Sequence, residues 1–216
     1  MKKICYNNIM IKIENLTLSY IKEYSTLMNI NCEIVGNTFI QGSINDGTHS
    51  LLRAIAKIDK GYSGSISIDD NNIKMITDKD IDLAYVSKDP YLFKRNISYN
   101  LYYPLMIRKF DKNSAKELIN EVIDKYIKDF PTQISRLTLS QKKIIALLRA
   151  MIRQPKYILI EDLFTNLDEQ YHNLAEQIVN EISTHSIVIA CDNAVVNCYN
   201  HYEQYRLEFG SLTKII

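Results

Sequence analysis

Hydrophobic and polar positions along this chain change period several times, and each change marks an element. Residues 9–18 alternate apolar and polar with the two-residue period of a half-buried strand. Residues 27–34 and 38–41 read as two further strands, parted by a turn at Gly36 and Asn37, and a short apolar helix is predicted over 51–58. Residues 63–68, entered through Gly64, and the short run 83–86 read as strands again. Ser114 and Glu117 have capping-box spacing, which predicts a helix carrying Leu118, Ile119, Val122, Ile123, Tyr126 and Ile127 and ended by Pro131. A second helical stripe (Ile144, Ile145, Leu148, Met151, Ile152) stops at Pro155 and feeds the apolar run 157–160, the pattern of a helix leading into a buried strand. A last stripe (Leu174, Ile178, Val179, Ile182), a strand at 186–191 and a hairpin of 202–207 with 212–216, turned by Gly210, complete the pattern. Alternating strands and helices of these lengths predict an α/β fold.

At 216 residues and 46% hydrophobic, the chain is long enough to bury a real core as one domain. No apolar run approaches the roughly 18 residues of a membrane span, and the first residues lack the apolar stretch of a signal peptide, so the expectation is a cytosolic protein. Cys5, Cys32, Cys191 and Cys198 show no metal-binding spacing and read as reduced structural thiols. A net charge of +1 leaves no basic footprint for nucleic acid. Two places carry chemistry. The run 157–160 ends in adjacent carboxylates, Glu161 and Asp162, where α/β sheets bind ligands, and such a pair is suited to holding a metal and polarising a water beside a phosphate. Strand 38–41 delivers the chain to a glycine loop, Gly42 to Ser50, followed by a helix: the layout in which backbone N–H groups and a helix N-terminus point at an anion.

These segments stand in an order that resembles the nucleotide-binding domain of an ATP-binding cassette (ABC) transporter. The phosphate loop keeps Gly42, Gly47 and the alcohol at Ser50, and Ser87-Lys88-Asp89-Pro90 follows the next buried strand as a Q-loop does. Leu137, Thr138, Leu139, Ser140 and Gln141 match a signature segment, 157–162 a Walker B strand, Leu167-Asp168 the end of a D-loop, and Asp192 the place of the switch histidine. The resemblance implies a P-loop NTPase-type core sheet with helices, a small antiparallel β subdomain and a helical subdomain over roughly 92–150, all in a single domain spanning 1–216. It also implies nucleotide contacts from Tyr20, stacked on adenine, and from Gly42, Asn45, Gly47, Thr48, His49, Ser50 and Lys88. Mg2+ would fall to Ser50 and Glu161, with Asp162 in the slot of the general base.

Departures from the family pattern are distributed over every motif. Thr48 replaces the phosphate-loop lysine, and one charged hydrogen bond is typically worth ~1.5–3 kcal/mol. The Walker B acids are permuted, so the base at Asp162 is one methylene short of its usual reach. Asp192 puts a carboxylate in place of a neutral histidine, aimed at the γ-phosphate space, and Lys88 stands where the family has glutamine. The slots together are one unit more negative than usual unless a divalent ion or protonated His49 compensates. Leu139 and Ser140 replace the two signature glycines, while Lys142 and Lys143 oppose the dipole of their helix and read as solvent-facing.

The expectation is therefore a degenerate cassette subunit that holds ATP and Mg2+ weakly and hydrolyses little or none. It would pair with a second cassette, of the same or another chain, and dock a transmembrane permease subunit from the inner face of the cell membrane. A weakly active ATPase and a soluble regulatory or scaffold module are the alternatives. Tyr91, Leu92, Phe93, Tyr99, Leu101, Tyr102, Tyr103, Leu105 and Met106 form the densest aromatic and apolar run. Leu92 and Leu101 read as core and the rest as a docking patch, with Pro104 interrupting any regular helix.

Overall fold

A computed structural model describes residues 10–21, 24–42, 44–77, 80–193 and 196–215. Its strands are β1 (Ile11–Ile21), β2 (Tyr24–Ile34), β3 (Thr38–Gln41), β4 (Ser63–Ile68), β5 (Asn71–Asn72), β6 (Leu83–Val86), β7 (Tyr157–Glu161), β8 (Ile187–Asp192), β9 (Glu203–Glu208) and β10 (Ser211–Lys214). The helices are α1 (Thr48–Ile55), α2 (Ile97–Ile107), α3 (Lys112–Val122), α4 (Leu139–Met151) and α5 (His172–Ser183). Among the described residues, β2-β1-β4-β5 form an antiparallel sheet and β10-β9-β3-β8-β7-β6 a second one, parallel except for β10. The α/β expectation holds, including the small antiparallel sheet. The predicted start at Ile9, the predicted end at Ile216, and Cys5 lie outside the described residues.

The parallel sheet is the partition of the molecule. Successive side chains of a strand point to opposite faces, so Ile158 and Ile160 of β7 join the core under α2 to α5, while Tyr157 and Leu159 join the core shared with α1 and the antiparallel sheet. β8 divides in the same way, Val188 and Ala190 to one side and Ile189 and Cys191 to the other. A strand apolar on both faces is what a parallel sheet covered on both sides requires, and every residue of β7 is buried. Cys191 and Cys198 are buried and unpaired, and Cys32 is half-buried and unpaired.

Five local expectations need correction. The helix predicted at Ser114 begins earlier, at Lys112, because Asp111 is the better cap: its carboxylate accepts from the N–H groups of Asn113 and Ser114 at 3.1 and 2.9 Å, and Ser114 donates its hydroxyl to it as well. Beyond Val122 the chain widens into a π turn, Ile123–Ile127, rather than continuing as regular helix. α1 starts at Thr48 itself, since Gly47 takes the left-handed conformation that ends the loop, and it stops at Ile55 instead of running to 58. Pro104 does not interrupt α2, which runs through it at the cost of the bond that an N–H there would give to the Asn100 carbonyl. Leu105, expected in an exposed patch, is buried on the inner face with Leu101.

α2 is joined to the segment before it by a buried amide. Asn100 accepts from Phe93 N–H at 2.8 Å and donates to the carbonyls of Phe93 and Asn96 at 3.1 and 3.0 Å. Replacement of Asn100 by Leu leaves these backbone groups unpaired, and at about 1–3 kcal/mol for a buried polar group without its partner the variant is expected to lose ~2–3 kcal/mol of stability. Urea denaturation of both proteins measures the loss, and a change near zero would show that the bonds are replaced by water.

Candidate functional site

The carboxyl ends of β3, β6, β7 and β8 meet at one edge of the parallel sheet, and the chemistry-bearing residues gather there. β3 leads into the glycine loop. Gly47, at φ +99°, passes so close to the antiparallel sheet that a Cβ would stand 2.7 Å from the Thr26 carbonyl oxygen, and a Cβ on Gly42 would stand 2.5 Å from that of Leu207. Thr48 and Ser50 are buried in the first turn of α1, whereas Asn45 is exposed. Tyr20, expected on an adenine, lies with its hydroxyl 2.6 Å from Asp59 and 3.1 Å from Ser50 Oγ. Its single proton goes to the carboxylate, so it accepts from Ser50. Asp59 is in turn held in a bidentate pair with Arg53 at 2.8 and 2.9 Å, and Arg53 first and Tyr20 after it hold this carboxyl below its ordinary range.

β7 brings Glu161 and Asp162 to the same edge, but into different surroundings. Glu161 is 1% exposed and spent on internal partners: Oε1 meets His49 Nδ1, and Oε2 accepts from the Tyr85 hydroxyl. Burial, and after it the Glu161 charge, raises the Tyr85 phenol well above its ordinary value. Asp162 sits at φ +43° with its N–H on the Cys191 carbonyl, and its carboxyl is half-buried. Burial and the charges of Asp192 and Glu161 raise its pKa, and Lys88 and Lys143 act in the opposite sense.

Both oxygens of Asp192 have partners within the chain. The residue is buried and accepts from Phe164 N–H at 2.7 Å and Thr165 Oγ1 at 2.9 Å, fastening β8 to the turn after β7. Lys143, expected in solvent, is 4% exposed and donates to the carbonyls of Asp162, Leu163 and Thr165 at 2.7, 3.2 and 2.6 Å. Its ammonium thus uses all three protons on that turn, and burial lowers its pKa against the pull of Asp192 and Asp162. This cation offsets the excess negative charge counted from the motif slots alone. Helical spacing could have shown it, because Lys143 shares a face with Ser140 and Leu147, both buried. Tyr85 carries no motif, yet β6 pairs it with Leu159, which lies on the same face of β7 as Glu161.

The signature residues are tied to this edge within the same chain. Thr138 caps α4 in a capping box with Gln141, whose side chain also donates to the Tyr171 hydroxyl at 3.0 Å. Ser140 is buried with its hydroxyl accepting from Asp168 N–H at 2.9 Å, Leu137 is core, and Leu139 projects from the first turn, 47% exposed. Further along α4, Arg149 donates to the Tyr91 carbonyl at 2.9 Å and so reaches the segment after Lys88.

A family model described as ABC transporter matches residues 28–165. The probable sulfate/thiosulfate import ATP-binding protein CysA of Chlorella vulgaris is 26% identical over 194 residues, 84% of this chain and 80% of that protein. The lipoprotein-releasing system ATP-binding protein LolD of Buchnera aphidicola subsp. Schizaphis graminum is 25% identical over 195 residues, 82% of this chain and 84% of that protein. The sn-glycerol-3-phosphate import ATP-binding protein UgpC of Pectobacterium atrosepticum is 26% identical over 191 residues, and the chain spans 54% of its length. Among solved structures, a dimeric ATP-binding cassette in a post-hydrolysis state bound to ADP and Pi superposes with TM-score 0.82 at 19% identity, covering 95% of this chain and 99% of that one. A bacterial Atm1-family ABC exporter with ATP bound gives TM-score 0.81 at 18% identity over 98% of this chain and 39% of that one.

The raised pKa of Asp162 has a definite sign for stability. Its ionised form is disfavoured in the folded state, so at neutral pH the residue lowers stability, and protonation relieves this as pH falls through the folded value. Asp162→Asn is therefore expected to melt at a higher temperature than the parent at pH 7. The gap should narrow on acidification and close below the ordinary carboxyl value of 3.8. Thermal melts across that pH range measure it, and a variant less stable at pH 7 would refute the assignment.

Proposed function

This chain belongs to the ABC transporter family, and from that premise we propose that it is a cassette subunit of a membrane transporter that contributes interfaces rather than ATP turnover. It would bind a transmembrane permease subunit and a second cassette, of the same or another chain, at the inner face of the cell membrane. The observation that carries this reading is the commitment of Glu161, the residue in the metal slot of Walker B, to His49 and Tyr85, which leaves neither of its oxygens open to a ligand. The loop retains the glycine-built backbone and helix start that attract phosphate, but its lysine position holds the buried Thr48, so ATP binding is expected to be weak.

In contrast to that closed edge, the segment after Lys88 stays open. Phe93 is the hub of an aromatic cluster, its ring 5.9 Å from Tyr91, 5.8 Å from Tyr99 and 4.5 Å from Tyr103. Tyr91 is 69% exposed, and beside it runs a groove of about 780 Å³ lined by Tyr91, Leu92 and Ile134 with the cations Lys94, Arg95 and Lys142. Clustered aromatics with a cationic border are suited to a short amphipathic segment of a partner. Among the described residues no helix is long and apolar enough to cross a membrane.

A second reading, a slow ATPase, is favoured by Asp162, whose raised pKa and half-open position suit a proton acceptor. Turnover separates the two. The proposal expects ATP hydrolysis at background, and steady-state rates of several per second, ordinary for enzymes, would refute it, as would a slower activity abolished by Asp162→Asn. For docking, joint replacement of Tyr91 and Phe93 by Ala is expected to reduce co-purification with the membrane fraction by about tenfold while stability changes by no more than ~1 kcal/mol. A loss of ~3–5 kcal/mol, the usual result of truncating a core aromatic, would place the rings in the core instead.

A further inference from the structure

Magnesium needs room around the carboxylate that anchors it. The ion keeps near-octahedral geometry with ligands at about 2.0–2.1 Å and retains several of its waters, so one oxygen of the anchor must look onto solvated space. Glu161 has no such oxygen. The residue is almost wholly buried, the His49 ring covers Oε1, and the Tyr85 phenol covers Oε2. His49 is the second residue of α1, so its ring reaches from the helix that follows the glycine loop to the end of β7. Ser50, whose hydroxyl was expected to complete the site, is buried in the first turn of α1, and the fit therefore turns on Glu161. Among the described residues no three His, Cys, Asp or Glu side chains are grouped so as to hold a metal. The residues present do not fit Mg2+.

We infer that the phosphate site of this chain takes no divalent cation and that His49 is the residue that excludes it. Glu161 is matched by a side chain of its own protein where an ion would otherwise stand. Any polyphosphate held by the glycine loop is then held as the free anion and not as its magnesium complex, which is a change of ligand class and not only of affinity. The inference rests on the cassette reading of the loop and strand, but not on docking or on turnover.

The test uses the purified 216-residue chain and Mn2+ as a magnetic substitute for Mg2+, with free Mn2+ read by electron paramagnetic resonance. The parent protein is expected to leave the free-ion signal of a protein-free control unchanged. His49→Ser opens the Glu161 carboxylate and supplies a hydroxyl, and is expected to deplete the free-ion signal, with an affinity for Mn2+ at least about tenfold above any shown by the parent, the scale on which metal sites respond to neighbouring groups. Tyr85→Phe keeps the His49 ring and is expected to take up no more than the parent. Circular dichroism confirms that both variants fold. Stoichiometric uptake by the parent overturns the inference, as does uptake by Tyr85→Phe, and a folded His49→Ser protein that binds no Mn2+ removes the role given to His49. Failure of the docking proposal would instead appear in membrane association, which Mn2+ uptake on the isolated chain does not touch.

Discussion

A strand buried on both faces has no water to offer a carboxylate at its end, and β7 ends in Glu161. An ionised group in such a place costs several kcal/mol unless it is paired and hydrogen-bonded, so the surrounding elements are bound to supply partners. They come from two directions: His49 from the start of α1 and Tyr85 from the neighbouring strand β6. One carboxylate thereby joins the phosphate loop, the central strand and the strand that leads to Lys88. The same arrangement occupies both oxygens of Glu161.

The turn after β7 is held from both of its polar sides. Lys143 gathers the carbonyls of Asp162, Leu163 and Thr165, while Asp192 takes the Phe164 N–H and the Thr165 hydroxyl. Backbone groups in a buried turn have to be paired with something, and here opposite charges from α4 and β8 divide the work. Asp192, the substitution at the switch position, is thus a structural member, and its charge, like that of Lys143, is directed at the turn. Ser140 on Asp168 and Gln141 on Tyr171 extend the same fastening from α4 toward α5. Arg149 carries it in the other direction to the Tyr91 carbonyl, beside the exposed aromatic cluster. The hydrogen bonds of this edge thus run from the end of β7 to the exposed Tyr91.

Much of the fold could be read from periodicity. β3, β4 and β6 fall where the apolar runs and their turn residues put them, and α4 begins at Leu139 because Thr138, followed three residues later by glutamine, is a local, self-contained cap. Where two local signals competed the reading failed: Asp111 displaced the Ser114 cap because an aspartate reaches two N–H groups and the serine hydroxyl together. The order of motifs, and with it the family, was also legible, since spacing along the chain survives when individual residues are replaced.

What each residue faces is a different kind of fact. The sequence alone determined that a carboxylate pair ends a buried strand, that the phosphate loop lacks its lysine, and that an aromatic run follows Lys88, because these depend on residue type and neighbours in the chain. Only the tertiary structure decided that His49 meets Glu161 across 112 positions, that Lys143 turns inward, and that Asp192 binds a backbone N–H. Those contacts are made between elements brought together by the parallel sheet, and a charged side chain in a buried place takes whichever partner the packing puts within reach.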